Sequence, residues 1–128
     1  MSDPAENRFS TKIWPEEIRL HSAEKTLEVV FENGETFQYP AEYLRVESPS
    51  AEVQGHHPGQ KKTVPGRRHV GIMKLDPVGN YALRITFDDM HDSGIFSWQY
   101  LYELGKDHDI RWANYLIELE NQGLSRDP

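Results

Sequence analysis

The chain has 128 residues, the usual size of one domain, and it contains no cysteine. The absence of cysteine excludes disulfides, thiolate zinc sites, thiolate-bound Fe–S clusters and cysteine nucleophiles. The formal net charge of −7 argues against a nucleic-acid partner, because nucleic-acid binding needs a basic face.

The chain also has no signature of a membrane or secreted protein. No apolar run approaches the roughly 20 residues that a membrane span needs. The start, MSDPAENRFSTK, lacks the charged-then-apolar order of a signal peptide, so we expect a cytoplasmic protein. Residues 1–13 are expected to form a flexible lead-in, residues 14–123 one domain and residues 124–128 a tail.

Apolar and polar residues alternate between positions 17 and 39, which predicts half-buried strands. One example is LEVVF (27–31), whose first, third and fifth residues share a face. Asn33 and Gly34 follow and predict a tight hairpin in which both turn residues have positive φ. The segment therefore predicts an antiparallel meander of three strands.

The middle of the chain has weaker signals. PAEYLRVE (40–47) predicts a short helix with proline at its start. Residues 48–70 contain prolines and glycines without periodicity and predict a long loop, which in a compact domain is usually functional or disordered. Within it, residues 53–70 contain no acidic residue and four basic ones, Lys61, Lys62, Arg67 and Arg68.

Two more strands are predicted after this loop. Residues 70–75 can form one, and the Asp-Pro-Val-Gly-Asn sequence of residues 76–80 is typical of a turn. Residues 81–87 then alternate as the clearest strand of the chain.

The C-terminal part predicts two helices. Ser97 is a good N-cap for a helix that runs to about Leu104 and ends at Gly105. A second helix starts near Asp107 or Asp109 and ends at Gly123. Its apolar face is predicted to consist of Trp112, Tyr115, Leu116 and Leu119. The expected fold is α+β, a small antiparallel sheet with two C-terminal helices.

The stretch FDDMHDSGIFSW (87–98) contains a histidine among three aspartates. It is no EF-hand loop, because Met90 and Ser93 stand where a ligand and a glycine are required. It is also a poor iron triad, because His91 and Asp92 are adjacent and would point apart in a strand. The simpler interpretation is a solvated strand end that leads into a turn.

Other candidate sites lie in the long loop. His56 and His57 could form half of a metal site with His91 or His69, although tandem loop histidines are more often only solvated. The four basic residues could bind a phosphate or an acidic partner, or simply keep a mobile loop soluble. No motif of a hydrolase, nucleotide-binding protein or metalloprotease is present.

Three stretches together carry a family resemblance: LRVESPSAEVQGH (44–56), PVGNYALRITF (77–87) and HDSGIFSWQYLYELG (91–105). They resemble the DUF971 family, small proteins similar to the N-terminal domain of γ-butyrobetaine hydroxylase. The resemblance covers roughly residues 18–105, and the linked order of the motifs makes it specific. It implies an α+β domain with an antiparallel sheet.

The resemblance also implies a lost zinc site. In the hydroxylases three cysteines after a Leu-Arg step and a distant histidine bind structural zinc. On this chain the cysteine positions fall on Ser48, Ser50 and Val53, and the histidine falls on His91. Hydroxyls and valine cannot replace thiolates around tetrahedral zinc, so we expect no cofactor and at most weak binding of zinc or iron. His91 is expected to bond the serine loop as a structural latch.

Two positions depart from the family pattern, in which glycine is common where this chain has His57 and Met90. His57 adds one further possible ligand. Met90 argues against a glycine-type turn at residues 89–91.

The resemblance implies a fold and no activity, because the iron and 2-oxoglutarate ligands of the hydroxylases belong to a separate domain. The leading hypothesis is a non-catalytic adaptor domain with an unidentified protein partner. Its predicted binding surface consists of Arg45, Ser48, Ser50, His56, Lys61, Lys62, Arg67, Arg68, His91 and Asp92. The alternatives are a metal-binding domain that uses His91 with loop histidines, and an accessory factor for an oxygenase or an Mrp-like Fe–S carrier ATPase.

Overall fold

A computed structural model describes residues 12–128, so residues 1–11 of the predicted flexible lead-in lie outside the described residues. The structure contains two three-stranded antiparallel sheets. The first consists of β1 (Pro15–His21), β2 (Thr26–Phe31) and β3 (Thr36–Pro40). The second consists of β4 (Ile72–Val78), β5 (Ala82–Phe87) and β6 (Ile95–Ser97). The helices are α1 (Ala41–Val46), α2 (Ala51–Gln54), α3 (Trp98–Lys106) and α4 (His108–Asn121), with a 3₁₀ turn at Pro58–Gln60. The predicted α+β class, meander and C-terminal helices are confirmed.

The meander forms as its alternation predicts, and the first, third and fifth residues of LEVVF are fully buried. The turn after β2 differs in type from the prediction. Gly34 has φ +89°, whereas Asn33 does not have positive φ. The Gly34 N–H donates to the Phe31 carbonyl at 2.9 Å, and the Phe31 N–H donates to the Glu35 carbonyl at 2.8 Å. This is a three-residue loop with one left-handed residue.

The second sheet was predicted only in part. β4 continues through Pro77 to Val78, so the turn begins at Gly79 and not at Asp76. Proline is tolerated there because β4 pairs only with β5 and is an edge strand. The strand β6 was not predicted, because three residues are too few to show alternation.

Helix α3 begins as predicted, with the Ser97 hydroxyl accepting the Tyr100 N–H at 3.1 Å. Its predicted end is wrong, because Gly105 lies inside the helix and does not terminate it. A Cβ at this position would overlap the Phe37 ring, so the glycine permits close contact between α3 and β3.

Helix α4 ends at the predicted glycine. Gly123 has φ +65° and its N–H donates to the Glu120 carbonyl at 3.1 Å. The Leu124 N–H donates to the Leu119 carbonyl at 2.8 Å, which completes a Schellman motif. On the predicted apolar face Tyr115 and Leu119 are buried and Trp112 is partly buried, but Leu116 is 40% exposed.

The segment from 48 to 70 is more ordered than a structureless loop. The Ser50 hydroxyl accepts the Glu52 N–H at 3.2 Å and caps the short helix α2. The short helix predicted at 40–47 is confirmed as α1.

At the chain end, Arg126 donates to both carboxylate oxygens of Glu42, at 2.6 and 2.8 Å.

One main core joins the two sheets and α3. Buried Tyr39 and Tyr43 donate their hydroxyls to the carbonyls of Leu101 and Leu104 of α3 at 2.6 and 2.7 Å. Burial raises the pKa of both hydroxyls, so they remain protonated donors. Among residues 12–128, no helix is both long enough and apolar enough to cross a membrane.

Candidate functional site

A tight turn after β5 places His91 inside the protein. The Met90 N–H donates to the Phe87 carbonyl at 3.1 Å, and the Phe87 N–H donates to the His91 carbonyl at 2.9 Å. Met90 has φ +73°, so a glycine-type turn does form, contrary to the prediction from methionine. The His91 side chain is only 3% exposed, and the stretch is therefore more than a solvated strand end.

Both ring nitrogens of His91 have partners. Nε2 lies 2.9 Å from Ser48 Oγ, and Nδ1 lies 3.2 Å from Glu52 Oε2. A carboxylate only accepts, so Nδ1 carries the proton, and Nε2 accepts the Ser48 hydroxyl. Burial and then the charge of Arg45 lower the pKa of His91, which keeps the ring neutral. The contact expected between His91 and the serine loop is present.

Two further serine contacts join the same two segments of the chain. Ser50 Oγ lies 2.7 Å from Ser93 Oγ, and the Ser93 hydroxyl donates to Glu52 Oε1 at 3.3 Å. A Cβ at Gly94 would overlap Ser48 Oγ, so glycine is required for this close approach. Residues 48–52 and 91–94 are thereby held together as one unit, which we call the serine–histidine cluster.

The atoms of Ser48, His91 and Glu52 follow the order of a Ser-His-acid catalytic triad. A nucleophile must reach its substrate, however, and Ser48 is 0% exposed. Its hydroxyl oxygen also accepts the Ser50 N–H at 3.3 Å. The cluster as it stands joins two segments, and Ser48, whose hydroxyl lies beside His91, is not accessible to a substrate.

Asp89 binds two guanidinium groups beside this cluster. Arg45 Nε and Arg67 Nε each donate to Asp89 Oδ2 at 2.7 Å, and the His91 N–H donates to Asp89 Oδ1 at 3.1 Å. Burial raises the pKa of Asp89, but the His91 N–H and the two arginines outweigh it, and the net pKa is lowered. The NH1 atom of Arg45 is buried and has no protein partner among residues 12–128.

The predicted binding surface separates into two groups. The buried members are Arg45, Ser48, Ser50 and His91. The partly or fully exposed members are His56, Lys61, Lys62, Arg67, Arg68 and Asp92. The buried group lies in the interior and cannot form part of a surface, which corrects the expectation of one continuous face. Only the second group can contact a partner directly.

The four basic residues of the loop are mostly paired. Lys61 contacts Glu47 at 2.9 Å, Arg67 contacts Asp89 at 2.7 Å and Arg68 contacts Asp127 at 2.5 Å. Lys62 has no side-chain partner within residues 12–128. The positive stretch seen in the sequence is therefore largely neutralised by acids from other segments.

The residues present do not fit a structural zinc ion. The hydroxyls of Ser48 and Ser50 occupy two of the implied ligand positions, and buried Val53 occupies the third. His91 Nε2 is already within hydrogen-bond distance of Ser48 Oγ. Zinc in closed structural sites needs four strong donors, usually thiolates and imidazoles.

The alternative site with loop histidines has no support in the geometry. His56, His57 and His69 are exposed, whereas His91 is buried. Within the described residues, no group of three or more histidines and acids is arranged to hold a metal ion.

Several residues of the site were missed by sequence reasoning. Glu52 and Ser93 complete the contacts of His91 and Ser50, and Glu47 pairs with Lys61. The spacing of Ser50 and Glu52 at a helix start was a usable signal, because serine is a preferred N-cap. The pairing of Arg45 with Asp89 had no sequence signal, because 44 positions separate the two residues.

Seven chains among the solved structures resemble this chain, including two NMR structures and one crystal structure. Two NMR solution structures share 50% and 38% sequence identity with it, with TM-scores of 0.78 and 0.80. The first alignment covers 90% of each chain, and the second covers 100% of this chain and 92% of the other. No match was found among curated proteins.

The third structure is a crystal structure of a protein of unknown function from Acidithiobacillus ferrooxidans, described as belonging to the DUF971 family. It is 37% identical, covers 71% of this chain and 91% of its own, and has a TM-score of 0.61. The family model "Gamma-butyrobetaine hydroxylase-like, N-terminal" matches residues 18–102. The chain therefore belongs to the γ-butyrobetaine hydroxylase-like N-terminal-domain family, DUF971.

Proposed function

We propose that this chain is a non-catalytic adaptor domain of the cytoplasm that binds a protein partner through the turn at residues 87–92. The observation that carries the proposal is Met90, which is 75% exposed and has φ +73°. A left-handed conformation costs a non-glycine residue about 1 kcal/mol. Strain of this kind persists mainly where it serves function.

The frame behind Met90 is suited to presenting a side chain. On one side, Asp89 is held by Arg45 and Arg67, and on the other, His91 is held by Ser48 and Glu52. A turn fixed at both ends loses little conformational entropy on binding. Methionine is also favoured at protein-binding surfaces, because its flexible thioether adapts to different partners.

The proposed partner contact extends to exposed residues that follow this turn in the chain. Asp92 follows the buried histidine and is exposed, and Ile95 is 37% exposed. An apolar centre with a charged rim is the usual anatomy of a protein interface. We call Met90, Asp92 and Ile95 the Met90 surface.

The test uses Met90→Gly, which removes the side chain but suits the left-handed backbone. Relief of the strain is expected to raise the free energy of unfolding by about 0.5–1 kcal/mol. A partner captured by crosslinking with the natural sequence is expected to be lost with this variant. The matched control is Ile110→Ala, at a similarly exposed apolar residue of α4, 63% exposed.

Each outcome of this experiment is informative. Loss of the partner together with a gain of stability supports the adaptor proposal, because misfolding is then excluded. Two results would refute the role of the Met90 surface. One is capture of the partner by Met90→Gly that is as strong as capture by the natural sequence. The other is capture by Ile110→Ala that is as weak as capture by Met90→Gly. Recovery of an oxygenase or an Fe–S carrier ATPase would specify the accessory role that the family resemblance suggests.

The absence of catalysis has its own test, because Ser48, His91 and Glu52 are arranged like a triad. A fluorophosphonate probe labels serines that are both activated and accessible. We expect no labelling of the folded protein, since Ser48 is 0% exposed. Labelling that disappears in Ser48→Ala would show a reactive serine and overturn the non-catalytic assignment.

A further inference from the structure

A cavity of about 530 Å³ lies between the loop at residues 61–63 and helix α4. It contains none of the residues of the serine–histidine cluster or the Met90 surface. Its lining comes from these loop residues, from the C-terminal end of α1 and from α4. This volume falls within the range of small-molecule sites, which is about 300–1,000 Å³.

The cavity has an apolar part. Val46 and Tyr115 belong to a buried cluster that joins α1 to α4. The Tyr115 hydroxyl donates to the Val64 carbonyl at 2.6 Å, so its hydrogen is already used. Val46 is 2% exposed and Tyr115 7%, so this apolar part is small, and an apolar body that contacts it leaves no polar group of Tyr115 unpaired.

A buried carboxylate organises the cations of the cavity. The Glu47 side chain is 4% exposed and accepts Lys61 Nζ at 2.9 and 3.0 Å and Arg111 NH1 at 3.0 Å. Its single negative charge is thus matched by two positive charges. Lysine and arginine carry more donors than this pairing uses, and the guanidinium group has five N–H donors in all.

Further donors are available beside these two cations. Lys62 lines the cavity and has no side-chain partner within residues 12–128, and the Asn114 amide has none there either. Glu118 is the only other acid of the lining, and the Gln122 amide donates to it at 3.2 Å. Three cations of the lining thus face two carboxylates of the lining, and Asp107, outside the lining, approaches Arg111 Nε at 3.7 Å with its Oδ2.

We propose that this cavity binds a small amphipathic anion. Its apolar body would lie against Val46 and Tyr115, and its carboxylate or phosphate would be held by Lys62 and the unused donors of Arg111. This combination of an apolar lining and a few converging polar groups is typical of ligand sites. The site is independent of the adaptor function proposed for the Met90 surface.

The competing interpretation is that the cavity is only a seam between the loop and α4. In that case Lys61, Glu47 and Arg111 serve to fasten the loop, and Lys62 is a solvated lysine. The two interpretations differ in one measurable respect: only a ligand site discriminates between an anion and a neutral molecule of the same shape.

The experiment is a proton–nitrogen NMR titration of the full chain at constant ionic strength. The probes are 1-naphthoate, 1-naphthyl phosphate and the neutral 1-naphthalenemethanol. We expect at least one anion to cause saturable chemical-shift changes in the amide signals of residues 61–63 and α4. We also expect that anion to bind at least tenfold more tightly than the alcohol. Binding of one anion in preference to the other identifies the carboxylate or the phosphate as the cognate group.

Two variants that are expected to change the affinity for the anion in opposite directions complete the test. Lys62→Gln is expected to weaken anion binding about tenfold, because a charge-assisted contact is lost. Glu118→Gln is expected to strengthen it, because a repulsive charge is removed. The control is Lys74→Gln, which makes the same charge change at an exposed lysine of β4. The spectra show directly whether each variant is folded.

The proposal is overturned if neither anion gives saturable shifts, or if the alcohol binds as tightly as the anions. It is also overturned if Lys74→Gln weakens binding as much as Lys62→Gln, because the effect is then general electrostatics. An anion site is established if the anions bind more tightly than the alcohol, if Lys62→Gln weakens anion binding and if Glu118→Gln strengthens it.

Discussion

At position 90 the backbone requires a residue that tolerates positive φ, and methionine is a poor choice for it. Methionine at that position predicts a different turn, and the structure shows that prediction to be wrong. The hydrogen bonds of Phe87 with Met90 and His91, and those of Asp89, outweigh the local preference. The free energy gained from these contacts exceeds the cost of the left-handed backbone at Met90, which is about 1 kcal/mol.

His91 gives a prediction of pH dependence at the same scale. Its pKa is lowered by burial, so the unfolded chain binds a proton near the ordinary histidine value of about 6.5 while the folded chain resists it. The contribution of neutral His91 is fully present above that value. It is lost as the pH falls from about 6.5 through the lowered pKa of the folded protein.

The variant His91→Gln tests this expectation by urea denaturation at pH 7.5 and pH 5. At pH 7.5 it is expected to be less stable by about 1–3 kcal/mol, because buried hydrogen bonds are lost. At pH 5 the difference from the natural sequence is expected to be smaller, since the variant has no imidazole to protonate. The control His56→Gln, in an exposed loop, should change stability little at either pH. A stability difference between His91→Gln and the natural sequence that is larger at pH 5 than at pH 7.5 would contradict the assignment of a buried, neutral His91.

At the scale of elements, glycines illustrate what sequence can and cannot indicate. Gly123 ends α4 as predicted, because its backbone geometry is set by a local Schellman motif. Gly105 was also predicted to end a helix, yet it lies within α3 against Phe37 of β3. The second role depends on a strand that is remote in sequence, so the local pattern could not reveal it.

The variant Gly105→Ala tests the packing role. Alanine would favour an isolated helix by about 1 kcal/mol, but its Cβ would overlap the Phe37 ring. We expect a net loss of about 1–2 kcal/mol in the free energy of unfolding, measured by chemical denaturation. Gly59→Ala serves as the control, because nothing lies within 4 Å of its added Cβ. A stabilised Gly105→Ala protein would mean that α3 and β3 are less closely packed.

At the scale of the whole molecule, ion pairs connect distant parts of the chain. Arg126 near the end of the chain binds Glu42 of α1, whose side chain is 7% exposed. Arg68 binds Asp127 in the same region, but both side chains are well exposed, at 39% and 66%. A carboxylate that loses its partner costs much more in the interior than at the surface.

The variants Arg126→Met and Arg68→Met compare these two pairs directly. Arg126→Met is expected to lower the free energy of unfolding by about 1–3 kcal/mol, since it leaves Glu42 buried and unpaired. Arg68→Met should change it by less than about 0.5 kcal/mol. Adding Glu42→Gln to Arg126→Met is expected to restore part of the loss. Equal effects of the two single variants would show that the end of the chain does not contribute through Glu42.

Features that depend on near neighbours in the chain are predictable from the sequence. Alternation predicted the meander and the buried face of LEVVF, and the Ser97 cap and Gly123 were correctly assigned to helix ends. The family was also recognised from the sequence, because its motifs are contiguous and ordered. Such signals need only a few adjacent residues, whose backbone preferences act locally.

Features that depend on residues far apart in the chain follow only from the packing of the folded protein. That packing divided the strands into two sheets and buried Arg45, Ser48, Ser50 and His91, which had been assigned to a surface. It also neutralised most of the basic loop with acids from other segments. The physical reason is the same in each case: burial and charge pairing are properties of packed segments, and a single segment does not encode its neighbours.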